Sequence, residues 1–164
     1  MKTVFIFMLV LTTLACKTSG NENTISPNIE QIFAGGQCGG QDSRPGMMVL
    51  SSGRDLDKLL ARDRQLQREW QSAGININFV AEHIVFISMG LKRTGGYGLE
   101  LLDREFQPQD KRVSIHVRWY APPADAMVTQ ALTRPCLFVA LPRGDYKLIR
   151  VLDAAGKVRL EVAL

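Results

Sequence analysis

The chain has 164 residues, 46% hydrophobic and 22% charged, with a net charge of +4. That balance excludes a disordered chain and gives enough apolar mass for one domain with a real core. The basic residues are scattered and aromatics make up only 7%, so no stacking platform for nucleic acid is present and no nucleic-acid partner is expected.

Lys2 precedes an uninterrupted apolar run, Val4 to Leu11, and small or apolar residues carry it on to Ala15. Such a run suits a signal-peptide core and falls short of the roughly 20 residues that span a bilayer. Thr13-Leu14-Ala15-Cys16 resembles the lipobox of bacterial lipoproteins, with Thr13 where an aliphatic residue is usual. The resemblance implies residues 1–15 as a signal peptide and Cys16 as the lipidation site. More than one acyl chain on Cys16 anchors a protein stably. The expected location is the bacterial cell envelope, lipid-anchored to a membrane and facing the periplasm or exterior. Residues 16–28 are polar and read as a flexible tether, leaving 29–164 as a β-rich domain.

Within that domain, Ile29 to Ala34 reads as a strand. Gly35 to Gly40 and Pro45-Gly46 read as turns, and Met47 to Leu50 as a second strand. Ser52 is the expected N-cap, with Asp55 three residues on, of one amphipathic helix from Gly53 to Gln71. Leu56, Leu59, Leu60, Leu66 and Trp70 form its apolar face, and Gly74 its stop. Ile75, Ile77 and Phe79 alternate as in a strand. Ile84 to Ile87 is continuously apolar and β-branched, the signature of a strand buried on both faces.

Gly90-Leu91-Lys92-Arg93-Thr94-Gly95-Gly96-Tyr97 follows. Gly90 and Gly95 have phosphate-loop spacing, but Gly96 and Tyr97 stand where that loop needs Lys and Ser or Thr. The next residues, from Gly98 to Leu102, have strand character instead of opening a helix. The segment therefore reads as a hairpin corner or, functionally, as an exposed recognition tip made by Lys92, Arg93, Thr94, Gly95, Gly96 and Tyr97. Arg and Tyr are the residue types that concentrate at interface hot spots.

The stretch from Ile75 to Leu141 resembles the C-terminal domain of the protease complex subunit PrcB family. Gly90, Lys92, Thr94, Gly95, Gly96 and Tyr97 carry the resemblance. Pro122-Pro123, Thr129 to Thr133 and Thr133-Arg134-Pro135 add to it. Cys136 departs from the aromatic residue the family usually has after that proline. The resemblance implies a non-catalytic partner of an exported protease, often a lipoprotein, with no established active site.

Val113 to Tyr120 alternates as a half-buried antiparallel strand, which Pro122-Pro123 ends. Leu137 to Leu141 is a strand, joined through Pro142 to Asp145 to Tyr146–Leu152 as a hairpin. Asp153 to Gly156 turns into a last strand, Val158 to Leu164. Arg143-Gly144-Asp145 is the integrin-ligand tripeptide but also ordinary turn chemistry. His83 and His116 lack companions at metal-ligand spacing, no serine sits in a nucleophile elbow, and Asp103 and Glu105 share a strand face as solvated acids. No cofactor and no enzyme activity are expected. With Cys16 lipidated, Cys38 and Cys136 either bridge or sit as two separate buried thiols.

The fold expected is mainly β: an antiparallel sandwich or partly rolled sheet of about eight strands with one helix, the alternative being α+β with a separate helical layer. The function expected is a membrane-anchored, non-catalytic accessory or protein-interaction lipoprotein associated with an exported protease. The alternative is an envelope ligand- or glycan-binding module using side chains near Tyr97 and Trp119.

Overall fold

The computed structural model describes residues 28–38, 43–103 and 108–164. The expected signal peptide, Cys16, the expected tether up to residue 27, and Glu105 lie outside the described residues. The described chain is mainly β, with two four-stranded sheets and two helices. The strands are β1 (Glu30–Gly35), β2 (Gly46–Leu50), β3 (Glu82–Ser88), β4 (Gly98–Leu101), β5 (Arg112–Tyr120), β6 (Cys136–Pro142), β7 (Leu148–Leu152) and β8 (Val158–Ala163). The helices, α1 (Gly53–Leu60) and α2 (Arg64–Ser72), lie between β2 and β3. The first sheet runs β1-β6-β3-β2, the second β4-β5-β7-β8.

The central strands of the first sheet are covered on both faces, which is why Ile84 to Ile87 of β3 and Cys136 to Leu141 of β6 run on without a polar residue. Val85, Ile87, Leu137, Val139 and Leu141 face the second sheet, where they meet Val113, Ile115, Val117, Ile149 and Val151. Ile84, Phe86, Phe138 and Ala140 face the helices and meet Leu56, Leu59, Leu60, Leu66 and Trp70. The Trp70 ring lies 4.8 Å from Phe138 and 5.8 Å from Phe33, centroid to centroid, so aromatic contacts fasten the helices to the sheet.

The single helix expected from Gly53 to Gln71 is two. The break falls at Ala61 to Asp63, where the Asp63 carboxylate accepts from the amides of Gln65 and Leu66 and starts a second helix. The leucine periodicity is blind to this interruption because both short helices turn the same stripe to the sheet. Ser52 caps α1 as expected, its Oγ accepting from the Asp55 amide and donating to the Asp55 carboxylate. The hydroxyl holds the Asp55 carboxyl below its usual range.

Three further expectations are corrected. Ile75 to Phe79 is no strand. Ile75, Ile77 and Phe79 pack half-buried against the helix-side core, and Asn78 turns the chain by accepting from Val80 through its side chain and from Ala81 and Glu82 through its carbonyl. The Gly90–Tyr97 segment is not a hairpin corner, since β3 and β4 belong to different sheets, and Pro142–Asp145 likewise crosses from β6 to β7. Finally, β5 is antiparallel to β4 but parallel to β7. Among the described residues no helix is long and apolar enough to cross a membrane.

Candidate functional site: three loops joined at one end of the sandwich

The glycine-rich crossing is fixed by neighbours remote in sequence. Gly90 has φ +70°, and a Cβ there would lie 2.5 Å from the Arg44 carbonyl carbon. The Lys92 amide and carbonyl pair with the Thr133 carbonyl and amide at 2.8 and 2.9 Å. The Thr133 hydroxyl donates to the Thr94 carbonyl, and the Gly95 amide to the Thr129 carbonyl, both at 2.9 Å. A Cβ on Gly95 would collide with the Thr129 hydroxyl. Gly96, at φ +85°, sits against Pro122 and Val128. The motif needs its glycines because other segments lie on top of it, residues 43–44 against Gly90 and residues 122–129 against Gly95 and Gly96, and the amides of Gly90, Lys92 and Gly95 are engaged within the fold.

A third segment completes the junction. The Gln37 side-chain amide donates to the Leu132 carbonyl at 2.6 Å, the Arg134 amide to the Gly36 carbonyl, and the Cys38 amide to the Arg134 carbonyl. Cys38 and Cys136 form a disulfide with Cα atoms 5.6 Å apart. Residues 36–38, 92–97 and 129–136 are thus one cross-linked unit. The two groups of residues that carry the resemblance, Gly90–Tyr97 and Pro122–Pro135, are the two faces of a single contact.

Residues 83–142 match the family model of the PrcB C-terminal domain. No curated protein and no solved structure matches the chain. The PrcB-matching stretch takes in β3 to β6: the two central strands of the first sheet, the β4–β5 pair of the second, and the loops between them. The helices, β1, β2, β7 and β8 lie outside it.

At the surface, the junction is unlike the tip expected. Tyr97 packs half-buried against the inter-sheet core, and the Lys92 ammonium lies 5.4 Å from the centre of its ring. Arg93 is exposed. Sequence reasoning missed the other half of the surface. Met127 is fully exposed, Leu132 is 57% exposed and Tyr120 is 42% exposed. Leu132 belongs to the loop laid on the glycine motif, and Met127 stands two residues ahead of its Thr129 anchor. Met127 and Leu132 on one loop and Arg93 on the other are therefore exposed on segments joined by the Lys92–Thr133 and Gly95–Thr129 main-chain bonds.

The other sequence candidates are accounted for elsewhere. Arg143 donates to the Phe79 carbonyl at 2.9 Å and the Ser51 carbonyl at 2.8 Å, and Asp145 pairs with Lys111. The Arg143 and Asp145 side chains are thus occupied within their own fold. His116 is half-buried and lines a polar cleft of about 350 Å³ with Asp103, Gln109, Asp110, Arg112, Ser114 and Arg150. Among the described residues no group of three or more His, Cys, Asp or Glu side chains is placed to hold a metal.

His83 Nδ1 lies 3.0 Å from Ser51 Oγ, with Arg143 beside it. Burial first, and the Arg143 charge second, push its pKa below the usual value. The folded state therefore binds fewer protons here than the unfolded state, and stability falls as pH drops through the ordinary histidine pKa of about 6.5. Asp55, Asp145 and Asp153 have lowered pKa values, so their contribution is lost only at more acid pH, below the ordinary carboxylate range. Urea midpoints at pH 7.5 and 5.5 should show a loss that His83→Gln reduces. An unchanged pH slope in that variant contradicts the assignment.

Proposed function

We propose that the chain is a non-catalytic, PrcB-type accessory module that docks a protein partner at the three-loop junction, is held at the membrane by a lipid on Cys16, and serves an exported protease. The single observation that carries the docking part is the set of exposed side chains, Arg93, Met127 and Leu132, mounted on loops cross-linked by the disulfide and main-chain bonds. Pre-ordering such loops reduces the entropy lost on association. The PrcB match supports the choice of a protease as partner, and the lipobox-like start supports the anchor.

The envelope-glycan alternative draws less support. Trp119 is covered by the Arg159 guanidinium, 4.9 Å from its ring centre, and the Tyr120 hydroxyl is engaged by Glu100. A Trp119 face and the Tyr120 hydroxyl are thus each occupied within the fold.

The test is capture of the native protein from detergent-solubilised envelopes, with the eluate assayed for peptidase activity. A co-eluting peptidase is expected, reduced at least about tenfold by the joint change Arg93→Glu and Met127→Ser at a surface hot spot. A protein recovered alone, or a peptidase retained equally by the variant, overturns the proposal.

A further inference from the structure

The lysines and arginines that the fold partly covers are Lys92, Arg134 and Arg150; the others among the described residues are exposed. A charge drawn part-way out of water costs free energy unless an opposite charge or a hydrogen-bond acceptor meets it. Arg150 pairs with Glu161, and the Lys92 ammonium lies over the Tyr97 ring. Arg134 has neither kind of partner. Its Nε is buried with no hydrogen-bond acceptor, and no carboxylate pairs with its guanidinium among the described residues. Its backbone is also pinned. The Arg134 amide donates to the Gly36 carbonyl and its carbonyl accepts from the Cys38 amide, both at 2.9 Å, and the disulfide follows two residues on at Cys136.

The surroundings are cationic as well. The described segments of the junction, 36–38, 43–44, 90–97 and 120–136, carry Arg44, Lys92, Arg93 and Arg134 against one acid, Asp125. The ion pairs of the described residues lie on the second sheet and the loops leading into it. Lys92 and Thr133 pair antiparallel, so the next step of the register sets exposed Arg93 opposite exposed Leu132, with Arg134 two residues beyond Leu132 on the same segment.

We propose that Arg134 is a carboxylate-recognition site, so that the segment docking at the junction presents an Asp or Glu side chain to it, next to an apolar side chain for Leu132. The proposal rests on the docking reading above and names the chemistry of its partner. A guanidinium makes short, directional, charge-assisted bonds to a carboxylate, and a backbone fixed in advance limits what must be ordered on binding. Arg93 at the rim adds attraction for the same acidic segment. An anionic membrane surface fits less well. Such surfaces collect clusters of about four or more exposed Lys or Arg side chains, whereas the exposed cations here are Arg44 and Arg93, and Arg134 is partly covered.

The probe is a fluorescent peptide, acetyl-GELDELEG-amide, titrated by anisotropy into the full chain in detergent. Binding tighter than about 1 mM is expected, and at least about tenfold tighter than that of the uncharged analogue GQLNQLQG. Arg134→Met keeps an unbranched side chain and removes the charge. It should weaken binding of the acidic peptide at least about tenfold while leaving the urea midpoint unchanged or raised, because an unpaired, partly buried charge is gone. A lowered midpoint marks the arginine as structural and overturns the proposal. So does equal binding of the two peptides, or equal binding of the acidic peptide by the variant. Displacement of the peptide by phosphatidylglycerol added to the micelles, unmatched by phosphatidylcholine, makes a membrane surface the occupant and also overturns it. Each of these results leaves the envelope capture standing. Conversely, a protein recovered alone from envelopes that still binds the acidic peptide through Arg134 would remove the protease partner and keep the site.

Discussion

Reducing the Cys38–Cys136 bond should lower the unfolding free energy by about 3–5 kcal/mol, the range expected for a cross-link closing so long a loop. The two cysteines are 98 residues apart in sequence and both essentially fully buried. Cleavage returns to the unfolded chain most of the freedom the bridge denies it. It also frees residues 36–38 from the 129–136 loop, so local order at the junction should fall with global stability. Urea unfolding with and without reductant, and of the Cys38→Ala, Cys136→Ala pair, measures this. Coincident midpoints would show that the bridge contributes nothing to the fold.

The second large effect is at Gly90. Gly90→Ala should cost on the order of 3 kcal/mol. Roughly 1–2 kcal/mol comes from placing an L-residue at positive φ, and the rest from overpacking. The crowding is with main chain, since the Arg44 carbonyl carbon and oxygen and the Ser43 carbonyl oxygen all fall within 2.7 Å of the added Cβ. No side chain can swing aside to relieve it. Gly156→Ala is the control: its φ is +77°, but nothing lies within 4 Å of the added atom. It should show the conformational part alone, and equal losses at the two positions would contradict the role assigned to Gly90.

Much of this fold was legible because burial leaves a simple pattern. Val113, Ile115 and Val117 alternate because only one face of β5 is covered, and Ile84 to Ile87 run on because both faces of β3 are covered. What the pattern does not encode is which sheet a strand joins. β3 and β4 look like the arms of a hairpin, yet their partners are β6 and β5, which set Ser88 opposite Cys136 and Leu101 opposite Val117. Alternation at Ile75, Ile77 and Phe79 reported one-sided burial correctly but carried no information on a ladder partner. The helix break depended on Asp63 capping, a local competition that the apolar stripe conceals.

The candidate site was half legible for a related reason. The glycines and Tyr97 mark a place where backbone conformation and close approach restrict residue choice, and such restriction shows in sequence. The disulfide was open between two readings because a 98-residue separation says nothing about proximity. Proximity follows from β1 pairing with β6, which sets Gly35 opposite Cys136. Met127 and Leu132 carry no local signature, since an exposed apolar side chain is identified only by what fails to cover it.

In the proposed function the glycine motif is scaffolding, and the exposed side chains beside it make the partner contact. Envelope capture and urea unfolding of the same two variants, Gly95→Ala and the Arg93→Glu, Met127→Ser pair, test it most directly. Gly95→Ala, whose new methyl meets Thr129, should lower stability by about 1–3 kcal/mol through overpacking. The surface pair should leave the urea midpoint within about 0.5 kcal/mol of the unaltered protein and lose the captured peptidase. A surface pair that unfolds the domain, or that captures as well as the unaltered chain, would contradict the claim.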